Sequence, residues 1–221
     1  LIPTVLIISN VFSSNSAGSE GGALKIEYTK HIILQNDYLE SNSVLQSGGG
    51  ALCVLKADFA SVTHCRFLNN KASYDGGASK IVDVKIFQLV KSLYVKNSAK
   101  HNGGAIAIVL PRSIQGNVIS LSLCLFMQNM ASGSGTSLAI KGVTEIRLAD
   151  LDIQDSEDNF HTNLIILQSV VMFIQNVSFT NIKTIDVVME ASATSLKNVG
   201  NIEFTCPVHT YLEEFLSTGG G

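Results

Sequence analysis

Gly21-Gly22-Ala23-Leu24, Gly49-Gly50-Ala51-Leu52, Gly76-Gly77-Ala78-Ser79 and Gly103-Gly104-Ala105-Ile106 recur along the chain at intervals of 28, 27 and 27 residues. A second marker keeps step with the first. An aromatic or aliphatic residue, two variable positions and then Asn run from Phe12 to Asn15, Leu39 to Asn42, Phe67 to Asn70, Tyr94 to Asn97 and Phe126 to Asn129. Two residues after each Asn stands a small or β-branched apolar residue: Ala17, Val44, Ala72, Ala99 and Ala131. Repetition at such a period marks a solenoid, in which each unit buries its apolar face only against its neighbours.

Between the markers, apolar and polar residues alternate as in half-buried strands. Leu24 and Ile26 fall on one face and Lys25 and Glu27 on the other, and Ile106 and Ile108 repeat the inward positions. A Gly pair every 27 residues with no i, i+3, i+4 apolar stripe excludes helical repeats. The pattern predicts an all-β fold, a right-handed single-stranded parallel β-helix of about eight coils of roughly 27 residues. Residues 1–140 form the regular coils. Residues 141–205 keep only the phase, with Ile153, Phe179 and Phe204 near the aromatic position, and 206–221 read as a terminal cap or linker. The fifth repeat departs, stretching to 32 residues through Pro111-Arg112-Ser113-Ile114-Gln115-Gly116, and Gly135-Thr136-Ser137 replaces Gly-Gly-Ala.

Each repeated residue type has a task in such a stack. Asn15, Asn42, Asn70, Asn97 and Asn129 are expected to form one structural column, each amide bonding to the equivalent Asn one coil away, in a turn whose left-handed backbone Asn tolerates. Glycine supplies a corner with positive φ. Phe12, Phe67, Tyr94 and Phe126 form an inward aromatic column. Cys65 and Cys124 precede their aromatic positions by two residues, in the slot assigned to Asn10, Asn36 and Ser92. Two coils at about 4.8 Å each separate them, beyond disulfide reach, so both read as buried, unpaired thiols.

Composition removes several classes of function. Charged residues are 15% and the net charge is −3, with no run of Lys and Arg that could neutralise successive phosphates, so nucleic acid is not expected as a partner. The longest apolar stretch, 164–174, is about half a membrane span and is interrupted by Gln168 and Ser169, so no membrane span is expected in this segment. The chain opens at Leu1 without a charged n-region, which places any targeting signal outside it. Cys53, Cys65, Cys124 and Cys206 include no close pair with metal-ligand spacing; neither metal nor other cofactor is expected.

The Gly-Gly-Ala-[Ile/Leu/Val] and Phe-x-x-Asn elements together resemble the polymorphic outer membrane protein repeat of chlamydial autotransporter adhesins and of some protist surface proteins. Phe12-Ser13-Ser14-Asn15, Gly21-Gly22-Ala23-Leu24, Gly49-Gly50-Ala51-Leu52, Phe67-Leu68-Asn69-Asn70, Gly103-Gly104-Ala105-Ile106 and Phe126-Met127-Gln128-Asn129 carry the resemblance. Leu39 and Tyr94 depart from its Phe, and Ser79 from its aliphatic residue. The resemblance implies surface display and adhesion, with no chemistry in the repeat itself.

The parallel β-helix also hosts polysaccharide lyases and hydrolases, and fold alone does not decide between binding and catalysis. The best acidic cluster is Asp150, Asp152, Asp155, Glu157 and Asp158, beside Arg147. A glycosidase needs two carboxylates at a defined separation. On a solenoid these would converge from adjacent coils, and the positions one coil away carry mostly Ser, Leu, Met, Gln, Asn and Thr. His31, His64, His101, His161 and His209 fall in different phases and should form no column. Asn176-Val177-Ser178 is the one Asn-x-Ser/Thr sequon, a possible glycosylation site at Asn176. The leading expectation is therefore a non-catalytic extracellular or cell-surface β-helix, an adhesin-like binding or scaffold segment whose partner is a protein or glycan at the cell surface. A carbohydrate-active β-helix enzyme and a structural filament subunit are the alternatives, and end-to-end or lateral self-assembly is compatible with the first and third.

Overall fold

A computed structural model describes residues 4–110, 116–133, 135–154, 164–167, 171–180, 187–190 and 195–205. The chain is an all-β parallel β-solenoid of about six coils of roughly 27 residues. Every described strand pair is parallel, and each strand of the inner coils bonds to its equivalents one coil before and one coil after. The longest ladder continues beyond the regular coils, so the number eight belongs to its rungs: Thr4, His31, Phe59, Ile86, Val118, Glu145, Val171 and Ser195 are successive partners.

A regular coil has three strands. A long one, such as Leu24–Gln35, Leu52–Thr63 or Ser79–Val90, is followed by a three-residue strand, such as Arg66–Leu68 or Leu93–Val95, and then by a two-residue strand, such as Lys71–Ala72 or Ser98–Ala99. Side-chain alternation then fills the interior with columns. Ile32, Ala60, Phe87, Ile119 and Ile146 stack in one, and Leu34, Val62, Leu89, Leu121, Leu148 and Ile174 in the next, all buried. Phe12, Leu39, Phe67, Tyr94, Phe126 and Ile153 make the third. The Phe67 and Tyr94 rings lie 4.4 Å apart and Tyr94 and Phe126 5.3 Å apart, face to face in both cases. Strand spacing imposes this, because identical positions one rung apart are held near 4.8 Å and flat rings fill that gap without voids. The buried Tyr94 hydroxyl lies 3.3 Å from that of Ser79.

Corners are made by single left-handed residues. Gly21, Gly49, Gly76, Gly103 and Gly135 turn one corner, but three further corners use residues with Cβ atoms: Tyr28, Lys56 and Asp83; Ser9, Asn36, His64, Lys91, Leu123, Asp150 and Asn176; and Ser14, Ser41, Asn69, Lys96 and Gln128. The two glycines of each pair serve different needs. The first adopts positive φ, whereas a Cβ on the second would meet the next coil's backbone, at 2.1 Å from the Gly77 carbonyl oxygen in the case of Gly50.

The Asn residues form a directional ladder. Asn15, Asn42, Asn70 and Asn97 each donate both the backbone N–H and the side-chain Nδ2 to the Oδ1 of the next, over 2.9–3.0 Å. From Asn42 onward Nδ2 also donates to a carbonyl of the preceding coil: Phe12, Leu39, Phe67 and Tyr94 in turn. Asn42, Asn70, Asn97 and Asn129 are buried. The left-handed residue of this turn is the one before the Asn, which corrects the expectation that Asn itself takes that conformation. Each Asn is turned inward to complete the hydrogen bonding of buried backbone, a task that needs a donor and an acceptor on one short side chain.

Candidate functional site

The first five residues of the second left-handed corner are each followed by a cap, namely Asn10, Asp37, Cys65, Ser92 and Cys124, and the last two by the buried Leu151 and Val177. Asn10 Nδ2, Ser92 Oγ and the Cys65 and Cys124 thiols donate to the carbonyl two residues earlier, and the Asp37 carboxylate instead accepts from the N–H of Gln35 and of Asn10. Asn36 is not in this column. It stands one residue earlier, at the corner itself with φ 57°, beside His64. Cys65 and Cys124 are buried and unpaired, with Ser92 between them in the column. Burial pushes both thiols up to about 11, so they are protonated and unreactive as nucleophiles at neutral pH.

Cys53 lies on the outward side of its strand, between Lys25 and Lys80, and is nonetheless fully buried. A charged lid covers it. Glu20 pairs with Lys25 at 3.4 Å and with Lys80 at 3.3 Å, Lys25 pairs with Glu27 at 2.7 Å, and Lys80 also donates to Ser47. Burial raises the Cys53 thiol to about 12. The register Lys25, Cys53, Lys80 was legible as a fixed offset of four from the first Gly of each pair.

The acidic cluster separates into what is described and what is not. Asp155, Glu157 and Asp158 lie outside the described residues, as do His161, His209 and Cys206. Asp150 sits at an exposed corner and accepts from Asn176 Nδ2 at 2.9 Å. Asp152, half-buried on the outer face, accepts from Gln154 Nε2 at 2.7 Å and from Ser178 Oγ at 3.0 Å. One coil earlier the same columns hold Leu123 and Leu125, so no carboxylate faces either acid from that side. The described histidines fall in separate columns. His31 packs edge-on to Phe59 at 6.1 Å, His101 stacks on Tyr74 at 4.3 Å, and His64 occupies a corner. Among the described residues no group of three His, Cys, Asp or Glu side chains could hold a metal ion. Asn176 is exposed on its strand, and its sequon partner Ser178 is held by Asp152.

The outer surface differs from the inner columns in kind. The inward columns of the strands stay apolar and the Asn column stays amide from coil to coil, while outward columns change character along the rod: Lys25, Cys53, Lys80 and Ala107 in one, Tyr38, Arg66, Leu93, Leu125 and Asp152 in another. Fold and surface together define a parallel β-solenoid whose repeated interior columns contrast with outer faces of mixed chemistry. The chain matches no model of a known protein family, no curated protein and no solved structure.

Proposed function

We propose that the chain is a non-catalytic, surface-displayed or extracellular β-solenoid of the polymorphic outer membrane protein repeat type, which presents its faces to a protein or glycan partner. The observation that carries this reading is the division of labour between columns. Internal hydrogen bonds and packing repeat along the regular coils, so the core is built without most of the outward side chains and each rung adds display area without altering it. The bonding of Asp150 and Asp152 to Asn176, Ser178 and Gln154 supports a structural use of these acids. A glycosidase pairs two carboxylates about 5–10 Å apart, and Asp150 and Asp152, two residues apart on one strand, are the pair that the cleavage test below addresses.

Two measurements test the reading. Protease treatment of intact cells, with and without permeabilisation, should remove the chain in both cases; protection in intact cells would place it inside and sink the surface reading. Incubation with a panel of acidic and neutral polysaccharides should release no new reducing or unsaturated ends. Turnover lost in Asp152→Asn would replace this proposal with an enzyme.

A further inference from the structure

The three-residue strands present one outer strip whose chemistry changes in an ordered way along the rod. Each strand turns its central residue inward and its two flanking residues out. Along one outward column run Arg66, Leu93, Leu125 and Asp152, and along the other Leu68, Val95, Met127 and Gln154. The adjoining corner column reads His64, Lys91, Leu123 and Asp150. The strip is thus basic at one end and acidic at the other, and over the two middle coils both strand columns are apolar, with Lys91 in the corner column the one charge there. Leu123 is 50% exposed, and Leu93, Val95, Leu125 and Met127 are half-buried on the outer side of their strands. Among the described residues Arg66, Lys91, Asp150 and Asp152 make no ion pair.

We propose that this strip is a contact between two copies of the chain lying antiparallel. A two-fold axis along the strands, midway between the coils of Leu93 and Leu125, lays each column on itself in reverse order. Leu93 then meets Leu125 of the second copy, Val95 meets Met127, Arg66 meets Asp152, His64 meets Asp150, and Lys91 meets Leu123 with its methylene stem along the leucine and its ammonium turned to solvent at the rim. All of these contacts occur twice, as an isologous interface requires. The equal rung spacing of about 4.8 Å brings the pairs into register together. The charge order selects this occupant over others. A parallel second copy would set Arg66 on Arg66 and Asp152 on Asp152, and an anionic lipid surface or an acidic partner would be repelled by Asp150 and Asp152 at one end of the strip. Only four coils of one strip meet in this pairing, so the pair is a reversible one, reinforced when many copies are arrayed. On rods held by the same end on two surfaces, an antiparallel pair bridges them; this use rests on the surface reading above, whereas the pair itself does not.

Sedimentation equilibrium of the purified chain over a concentration series into the high micromolar range reads the association directly. Reversible dimerisation is expected. Leu125→Lys, which sets a charge against Leu93 of each partner, should abolish it. Arg66→Asp and Asp152→Arg should each weaken it about tenfold, because attraction becomes repulsion at both symmetry-related places. The double reversal R66D/D152R should restore it to within about threefold of the starting chain. Leu125→Lys and Arg66→Asp change outward side chains and should keep the starting chain's thermal midpoint, whereas Asp152→Arg and the double reversal give up the bonds to Gln154 and Ser178 and should lower it slightly while staying folded at the temperature of the assay. A chain that stays monomeric throughout, whether or not it adsorbs to vesicles of anionic phospholipid, overturns the proposal. So do a dimer indifferent to Leu125→Lys, a dimer strengthened by Arg66→Asp alone, and a double reversal that fails to restore it. Cell fractionation and polysaccharide cleavage do not enter this outcome, so it stands or falls apart from the function proposed above.

Discussion

Replacing Asn70 by Ala tests whether the Asn ladder holds the coils together or merely accompanies them. Asn70 Oδ1 accepts from the backbone N–H of Asn42 at 2.9 Å and from its Nδ2 at 3.0 Å, while Asn70 Nδ2 donates to the Leu39 carbonyl at 2.9 Å and to Asn97 Oδ1 at 3.0 Å. Truncation deletes all four. Asn42 Nδ2 keeps Phe12 O as a partner and Asn97 Oδ1 keeps the Asn70 N–H. The buried Asn42 N–H is left with no acceptor, and the Leu39 carbonyl loses a donor. One orphaned buried group costs about 1–3 kcal/mol, so the expected loss is about 2–5 kcal/mol. Asn15 is the control. It is exposed at the first rung of the ladder, and its truncation removes one amide-to-amide bond while its backbone N–H still reaches Asn42 Oδ1, so the loss should stay below about 1 kcal/mol. Urea unfolding gives the global difference. Amide exchange of the Asn42 turn gives the local one, expected to quicken at least tenfold in Asn70→Ala and little in Asn15→Ala. Asn70→Asp separates donor from acceptor: at neutral pH it keeps the acceptor for Asn42 but faces Asn97 Oδ1 with a carboxylate, and acidification, which restores a donor, should recover stability. If Asn70→Ala and Asn15→Ala lose the same small amount, the ladder carries no weight and the interior columns alone hold the stack.

Period, strand direction and inward columns were legible because they follow from one constraint. A parallel stack places residues one period apart on top of each other, so any column that must be buried shows itself as a repeated residue type. Phe67, Tyr94 and Phe126 and the Asn series are visible for that reason. The glycine corner was legible too, whereas the left-handed corners built on residues with a Cβ were not. Lys56, His64, Lys91 and Leu123 all hold positive φ, at a cost of about 1–2 kcal/mol relative to a right-handed backbone, and no local propensity announces them. Closure of the coil imposes them: once the strands before and after are paired to the neighbouring rungs, the residue between must turn whatever its side chain. The same constraint explains the misplaced cap slot, since counting from the aromatic residue does not reveal whether the corner or the cap holds a given position, and Asp37 rather than Asn36 is the cap. The outer surface was hardest to read. A strip such as Arg66, Leu93, Leu125 and Asp152 has no repeated residue type, and its order acquires meaning only when the rungs are stacked.

Gly50→Ala should destabilise by about 3 kcal/mol or more in urea unfolding, because its Cβ would meet the Gly77 carbonyl oxygen at 2.1 Å and Lys71 backbone at 2.7 Å; Gly18→Ala, with nothing within 4 Å, should be near neutral, and equal effects would refute the close-approach account. Tyr94→Phe loses only the contact with Ser79 and should cost about 1 kcal/mol, whereas Tyr94→Ala empties the stack between Phe67 and Phe126 and should cost about 3–5 kcal/mol; comparable losses in calorimetry would mean the rings do not carry the column. Alkali tests the buried thiols. Burial raises Cys65 and Cys124 from 9.0 to about 11 and Cys53 to about 12, so the folded chain keeps these thiols protonated where the unfolded chain has lost them. Fewer protons bound by the unfolded state means that stability falls as pH rises, beginning near the unfolded value of 9.0 and continuing to about 11 for Cys65 and Cys124. By the top of that window each of these two thiols should have withdrawn roughly 2–3 kcal/mol of stability. Urea midpoints measured from about pH 7.5 to about pH 10.5 should therefore drop steeply once the unfolded thiols begin to ionise. In a Cys65→Ala, Cys124→Ala chain, less stable at neutral pH but lacking two titrating groups, the slope should be shallower. Site-resolved alkylation of the native chain at about pH 8 should spare Cys53, Cys65 and Cys124, because the thiolate is the reacting species. A parallel pH slope in the double variant, or prompt alkylation of Cys65 in the folded chain, would show that these thiols are not held protonated by the core.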